Sequence, residues 1–536
     1  MMNTPLLLTQ MIERVEKYYP NKQIISRTES GIHRFTYKEM VERTRRLASG
    51  LEKLGIKEGD RVGTLAWNHH RHLEAYFAIP CSGAVLHTIN IRLSPQHVNY
   101  IINHAEDKVL IIDSDIVPLV EAIQHQLKTV KAFIIMTDKE ELPPTSLQPV
   151  YHYEDIINEG NPSYRFRNDL DENAPAGMCY TSATTGNPKG VVYSHRGIVL
   201  HSMALGLADT TGVCERDIAL PVVPMFHVNA WGLPFAAVWF GTTQVLPGPY
   251  FTPKILAELM QNEKVTITAG VPTIWLGLLK ELDEHQYDLS NMRSILCGGA
   301  AAPKGMIKAF EQKHGIPFIH AYGMTETSPL ATVASIKSEN DRCNKEDRLE
   351  IKSKQGMLVP GLEMRVVGKD GEVEWNGSEM GELTIRGPWI ASEYYRDERT
   401  KDAFRDGWLY TGDVVTIDEM GYIKIVDRTK DLIKSGGEWI SSVDLENSLM
   451  AHESVFEAAV VAVPHEEWQE RPIACVVLKE DEAVTKKELL EFLEPQFAKW
   501  WLPDDILFMK EIPKTSVGKF LKRTLREQVK GELKKV

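Results

Sequence analysis

Paired cysteines are missing from this chain: Cys81, Cys179, Cys214, Cys297, Cys343 and Cys475 lie far apart with no CxxC pair. That spacing disfavours a zinc site or a disulfide framework and suits a reducing cytoplasm. A basic start followed by an apolar core and a small-residue cleavage site is also missing from the first twenty residues, so they do not read as a signal peptide. No apolar run is long enough to cross a bilayer. The longest, Ala230 to Leu246, falls short of the ~20 residues needed and contains Pro234. Positive charge is in deficit, with 61 Lys and Arg against 74 Asp and Glu and a formal net charge of -13. General attraction to nucleic acid or anionic lipid is therefore not expected, and any bound anion must be gripped locally. There is no fixed-period repeat. These absences leave a cytoplasmic globular protein without a transmembrane segment.

With 536 residues, 43% of them hydrophobic and 25% charged, the chain is too long for one core and is expected to divide into a large and a small domain. Apolar runs such as Val62–Ala66 and Val109–Ile112 alternate with helix-like stretches such as His69 to Ile79, expected to be amphipathic. The alternation returns at Val265–Ala269, at Ser294–Cys297 and in a helix expected from Pro303, a good first-turn residue, to Gly315. This rhythm is that of parallel α/β sheets. Between Gly371 and Asp418 the pieces become short and broken by Gly and Asp, which suggests a small antiparallel β unit. The charged run Asp427 to Asp431 follows, and a new α/β pattern, including Ala458–Val463, begins after it. The expected division is residues 1–426, a linker at 427–432 and a small domain at 433–536.

The most specific stretch is Tyr180-Thr181-Ser182-Ala183-Thr184-Thr185-Gly186-Asn187-Pro188-Lys189-Gly190. Hydroxyls, two glycines and a lysine in one short loop suit a polyphosphate wrapped by backbone N–H groups and a cation. It lacks Walker spacing. A hydroxyl-rich surface turn has the same composition, so the order of residues has to decide. That order resembles the phosphate loop of the adenylate-forming superfamily: acyl-CoA synthetases, peptide-synthetase adenylation domains and luciferases. The chain departs from it at Ala183, where the family usually carries Gly.

Further motifs in the same order carry the resemblance from Tyr180 to Lys519. Tyr322-Gly323-Met324-Thr325-Glu326 is similar to the segment bearing the family's adenine-stacking aromatic and its magnesium carboxylate. One Glu beside a phosphate loop is chemically sufficient for magnesium, which keeps phosphate oxygens among its ligands. Just upstream, Gly298, Gly299 and Ala300 follow a strand, where glycines would let backbone approach a flat base, although a plain strand-to-helix turn would look the same. Asp413 in Tyr410-Thr411-Gly412-Asp413 matches the ribose-binding aspartate. Arg428 and Lys430 match the linker, Arg428 near the ribose or phosphate and Lys430 as hinge. Lys434-Ser435-Gly436-Gly437-Glu438-Trp439 resembles the loop that enters the site for the thioester step. Pro513 to Lys519 resembles the loop with the family's adenylation lysine, Lys519.

The resemblance implies a fold with a large N-terminal domain of stacked α/β sheets, a small β unit and a small mobile α+β C-terminal domain. It implies ATP and Mg2+, the latter on Thr181 and Glu326, with coenzyme A as co-substrate and Lys519, Glu326, Lys189 and His227 as catalytic residues. Thr181, Ser182, Thr184, Thr185, Gly186 and Lys189 would hold the phosphates. His227 lies at the family's aromatic-histidine motif, and Trp231 falls where fatty acyl-CoA synthetases place a tryptophan gating an acyl tunnel; Phe226 and Trp231 could equally fill a core. Apolar Val228, Ala230 and Leu233 argue against an amino-acid substrate. The similarity is to bacterial medium- and long-chain fatty acyl-CoA synthetases, which implies a fatty acid as acyl donor and a homodimer through the N-terminal region. Alternatives are a short or unusual acid such as methylthio-propionate, transfer to a carrier protein, luciferase-like oxygenation, and a catalytically silent acyl or nucleotide sensor.

Overall fold

The computed structural model describes residues 1–536 except 182–185, 436–437, 481, 516–518 and 534–536. Its architecture is mixed α/β, with a large N-terminal domain of stacked sheets and a small C-terminal domain. Two long sheets and a smaller antiparallel unit form the large domain. In one, five parallel strands with near-continuous apolar burial, Val109–Asp113, Arg61–Leu65, Val85–Thr88, Ala132–Met136 and Pro175–Tyr180, are the apolar runs seen in the sequence. Such runs suit strands covered on both faces. Gly190–Ser194 then folds back antiparallel on Pro175–Tyr180, with Tyr180 opposite Gly190. The two ends of the phosphate-loop motif, Tyr180 and Gly190, thus face each other on an edge hairpin.

The second long sheet carries Ile218–Pro221, Ile267–Gly270, Ser294–Cys297 and Phe318–Gly323 as parallel neighbours, with Leu330–Val333 antiparallel to the last. Helices Lys304–Lys308, Pro272–Glu284 and Pro253–Asn262 bury one face against it. The parallel order brings the C-terminal ends of neighbouring strands together, which puts Gly298–Ala300 and Tyr322–Glu326 at one rim. The rim is where ligands bind in open parallel sheets.

Two expectations are corrected in detail. His70–Cys81 is not amphipathic: every residue but Arg71 is buried, and Arg71 is held by Glu154 and Asp138 at 2.8 Å each. A helix buried nearly all round, its polar side chains included, lies between layers rather than on the surface. Pro303 is the residue preceding the helix rather than its first turn, and the helix Lys304–Lys308 runs on as a wider turn, Ala309–Lys313, that closes before Gly315 at φ +67°.

The antiparallel unit expected near Gly371 to Asp418 is present, built on Glu363–Gly368, Gly381–Arg386, Trp408–Ile417 and Ile423–Arg428. Asp427 and Arg428 are the last residues of its final strand, opposite Val414 and Asp413. The chain then enters a separate sheet, in which Val455–His465 and Gln469–Leu478 form a long hairpin flanked by Ile433–Ser435 and Asp505–Phe508. Its core (Ile433, Leu445, Val460, Leu489, Ile506) is distinct from those of the large domain. The change of sheet falls between Arg428 and Ile433. No helix among the described residues is long and apolar enough to cross a membrane.

Candidate active site

The hairpin that carries the phosphate-loop motif is pinned at its mouth. Thr181 N–H donates to the Lys189 carbonyl at 2.9 Å, and Lys189 N–H donates to Thr181 Oγ1 at 3.1 Å. Ser182, Ala183, Thr184 and Thr185, in the middle of the motif, lie outside the described residues. Gly186 has φ +70°, a left-handed conformation natural to glycine. The Lys189 side chain turns away from the hairpin and donates to Tyr394 Oη at 2.7 Å, its ammonium 4.0 Å from the centre of the Tyr394 ring. Tyr394 in turn donates to Glu326 Oε1 at 2.6 Å, and Lys189 Nζ lies 3.7 Å from the same oxygen. Burial pulls the Lys189 pKa below the ordinary lysine value, with Glu326 opposing the shift.

Glu326 is buried and held by its backbone as well, since its carbonyl accepts from Ala391 N–H at 2.8 Å. The neighbouring Thr325 carbonyl accepts from Tyr193 Oη at 2.8 Å. The segment around Tyr394 is therefore stitched to both motifs, because Tyr395 N–H also donates to the Gly190 carbonyl at 2.8 Å. Tyr394 is a site residue that sequence reasoning missed. Neither loop composition nor spacing flags one tyrosine some two hundred residues after the lysine it binds.

At the other side of the rim, Tyr322 Oη donates to Asp413 Oδ2 at 2.6 Å, and Arg428 Nε reaches Asp413 Oδ1 at 3.1 Å. Asp413 is buried, and its charge holds the Arg428 pKa above the usual arginine value. Asp413 and Arg428 meet because they are directly opposed on adjacent strands. Gly298 and Gly299 pass below a tryptophan. A Cβ on Gly298 would sit 2.9 Å from the Ala321 carbonyl and 3.3 Å from the Trp231 ring, so a side chain there would displace backbone. Gly299 has φ +83°, and a Cβ on it would lie 3.7 Å from Trp231 and 3.8 Å from Lys519 Cε. Gly323 is equally constrained, its Cβ position falling 1.9 Å from the Pro329 carbonyl. Ala300 is exposed at the edge of the rim.

Lys519, from the small domain, thus reaches the rim beside Gly299 and Trp231. Burial, with the Arg428 charge added, lowers its pKa to about 8, while Asp413 and Glu326 act in the opposite direction. Lys519 N–H is anchored on Thr515 Oγ1 at 3.1 Å. His227 is kept neutral by burial and then by the charges of Lys519 and Arg92, its pKa falling to about 3. The singly protonated, neutral imidazole is therefore favoured over the imidazolium at neutral pH.

The chain between His227 and Trp231 has an unusual conformation. Val228, Asn229, Ala230 and Trp231 have φ of 44°, 52°, 49° and 58°, and Gly232 follows at 74°. A left-handed turn of four non-glycine residues costs about 1–2 kcal/mol per residue. Its surroundings hold it in place. Asn229 Oδ1 accepts from Thr88 Oγ1 at 3.4 Å, the Cys179 thiol lies 3.5 Å away, and Gly232 has His201 where a Cβ would go. Phe226 fills the core at 2% exposure, whereas Trp231 is only partly buried and faces Gly298 and Gly299.

Lys430 lies in the linker just past the sheet, its pKa lowered by burial and by Arg428. Lys434 sits opposite Trp439 in a short hairpin, with its ammonium 5.3 Å from the exposed Trp439 ring. Gly436 and Gly437 lie outside the described residues, as does the Glu438 side chain. The structure thus brings Lys189, Glu326, Asp413, Arg428, Lys519, Trp231 and His227 to one rim, while Lys434 and Trp439 belong to a hairpin of the small domain. The rim is a hard-oxygen, cationic environment. The Glu326 carboxylate and Thr181 hydroxyl are the oxygen donors that magnesium prefers, and no cluster of three His, Cys, Asp or Glu residues that could hold a metal occurs among the described residues.

Comparison with known proteins agrees with this arrangement. The sequence model of the family described as AMP-binding enzyme matches residues 12–395, and that of the AMP-binding enzyme C-terminal domain matches residues 444–519. A long-chain-fatty-acid–CoA ligase of Thermus thermophilus is 50% identical, covering 99% of this chain and 97% of the relative. A 3-methylmercaptopropionyl-CoA ligase of Ruegeria lacuscaerulensis is 42% identical, covering 99% of each. Among solved structures, ATP-bound MatB from Rhodopseudomonas palustris superposes with a TM-score of 0.84 at 26% identity, covering 97% of this chain and 99% of that one.

Proposed function

The chain belongs to the AMP-binding enzyme family, and on that premise we propose that it is an ATP-dependent acid–CoA ligase that activates a fatty acid through an acyl-adenylate. The observation that carries this reading is Lys519 reaching from the small domain to the rim that also holds Lys189, Glu326, Asp413 and Arg428.

A carboxylate is a poor acyl donor because its leaving group would be an oxide. In the proposed first step a carboxylate oxygen of the acid attacks the α-phosphorus of ATP, the bond to the β-phosphate oxygen breaks, and pyrophosphate leaves. Both reactants are anionic, so fixed cations must offset the charge gathered in the transition state. Lys519 supplies one charge on the α-phosphate side, and Lys189 supplies another at the phosphate loop with Thr181 and Gly186. Ser182, Thr184 and Thr185 complete that loop in the proposal. Magnesium, carried by Glu326 and Thr181 when bound with ATP, neutralises phosphate charge. Asp413 accepts from the ribose hydroxyls and Arg428 holds it in place, while Tyr322, Gly298, Gly299, Ala300, Gly323 and Thr325 flank the adenine. In the second step the CoA thiolate attacks the acyl carbonyl and AMP leaves. Lys519 is not needed there, and the hairpin loop Lys434–Trp439, with Gly436, Gly437 and Glu438, takes its place as the small domain turns about Lys430.

The domain limits 1–426, 427–432 and 433–536, a homodimer through the N-terminal region and a cytoplasmic location belong to the same proposal. They rest on the resemblance. The change of sheet after Arg428 also supports a linker there.

Trp231 and neutral His227 flank the acyl path in this reading. Trp231→Ala is expected to shift the chain-length profile of acid-dependent pyrophosphate release while changing the KM for ATP little. The strained turn positions the ring against the rim rather than in the core. Equal loss across all acids with a lowered Tm would identify Trp231 as a packing residue. The 42% likeness to a 3-methylmercaptopropionyl-CoA ligase supports a short thioether acid as the second reading. The same series of acids, extended to that one, separates the two.

A further inference from the structure

Lys519 can act at the rim only while the small domain is docked, and one buried polar cluster beside the linker joins the two domains. Asp427 lies on the last strand of the large domain's antiparallel unit, opposite Val414. Its carboxylate oxygen Oδ2 accepts from Ser442 N–H at 3.2 Å and from the Ser442 hydroxyl. Ser442 opens the helix Ser442–Met450 of the small domain. Its hydroxyl accepts from Lys522, whose ammonium also meets Glu446 Oε1 at 2.7 Å. Glu446 accepts in addition from Val460 N–H at 2.8 Å, inside the small domain's own sheet. Exposure is 3% for Asp427, 0% for Ser442 and 6% for Glu446.

Resting on the ligase reading above, we propose that Asp427, Ser442 and Lys522 form an interdomain latch that holds the small domain in the adenylate-forming arrangement and opens for the thioester step. Lys522 and Glu446 both belong to the small domain, so their pair travels with it. The contacts of Ser442 with Asp427 cross the linker and cannot survive a rotation about Lys430 that carries Ser442 away from the strand. Lys522 is three residues after Lys519, at the start of the helix Lys522–Leu533 that follows the lysine loop. The latch therefore fixes the base of that loop against the large domain.

Its chemistry suits a two-position device. A carboxylate buried with a serine hydroxyl and an ammonium is favourable only while all three are together, because the separated charges must regain water. That makes the cluster a differential term between the two arrangements, the kind of term that sets their populations. Lesser contacts also join the domains, among them an exposed pair of Lys280 with Glu480 at 3.2 Å. Ser441 Oγ donates to the Val426 carbonyl at 2.7 Å, and Lys424 meets Asp444 at 2.7 Å, a pair exposed enough to be screened.

The test measures the two half-reactions separately on the full chain: acid-dependent pyrophosphate release without CoA, and thioester formation from synthetic acyl-AMP and CoA. Ser442→Ala and Asp427→Asn are each expected to slow the first by about tenfold, the weight of one charge-assisted hydrogen bond, and to leave the second unchanged or faster. Lys486→Ala, which removes the exposed small-domain pair with Asp505, is expected to leave the ratio of the two rates unaltered. Equal slowing of both half-reactions by Ser442→Ala, or no change in their ratio, overturns the latch. Wild-type protein that forms no acyl-AMP overturns the ligase reading instead. If Lys519→Ala splits the half-reactions and Ser442→Ala does not, only the latch is lost.

Discussion

Lys519→Ala is expected to slow acyl-AMP formation by about 10²–10³, the effect typical of removing one group that stabilises transition-state charge. Its conversion of supplied acyl-AMP and CoA to the thioester should stay close to the wild-type rate. The split follows from position: the side chain comes from the small domain yet lies beside Gly299 and Trp231 at the rim of the large one. A charge brought by a moving domain serves only the arrangement that brings it. The same environment gives a pH signature. Burial and the Arg428 charge hold the Lys519 pKa near about 8, so the protonated, active form is lost as pH rises through that value. The kcat/KM for pyrophosphate release should fall on that alkaline limb, and Lys519→Arg should move the limb upward because guanidinium stays charged. Equal slowing of both half-reactions would identify the lysine as structural.

Glu326→Gln is expected to lower acid-dependent pyrophosphate release by at least about 10² and to raise the Mg2+ concentration needed for half-maximal rate. The carboxylate is buried, accepts from Tyr394 at 2.6 Å and lies 3.7 Å from Lys189. A neutral amide keeps the shape and loses the charge that both the ammonium and a magnesium ion would answer. Tyr394→Phe should give a milder loss, since it removes the hydroxyl that spaces Lys189 from Glu326 and leaves the charges in place. A Mg2+ titration of both variants checks this; an unchanged half-maximal concentration for Glu326→Gln would remove Glu326 from the metal site.

Much of this site was legible in the sequence because it is built from short ordered motifs at strand ends, where the chemistry needs particular residue types in a particular order. Thr181 and Lys189 meet because the strands on either side of the loop pair, and Asp413 meets Arg428 because their strands are neighbours. What was not legible depends on contacts between distant segments. Tyr394 sits between Lys189 and Glu326 only because its own segment is tied to Gly190 and to Glu326 by backbone hydrogen bonds. The left-handed turn at Val228–Trp231 runs against local preference, since a β-branched residue at positive φ is an outlier for which no propensity speaks. The burial of His70–Cys81 on nearly every face was hidden by its histidines and by Arg71, which read as a polar side until Glu154 and Asp138 are placed against it. Asp427 is one residue of a charged run in the sequence, and only the docking of two domains makes Ser442 its partner.

Activation of the acid as an acyl-adenylate before CoA takes part is measured most directly by exchange of labelled pyrophosphate into ATP with acid and Mg2+ present and CoA omitted. Exchange is expected to require the acid, and addition of CoA to yield an acyl thioester together with AMP. Absence of acid-dependent exchange, with ADP as the sole nucleotide product when CoA is present, would contradict activation through an acyl-adenylate.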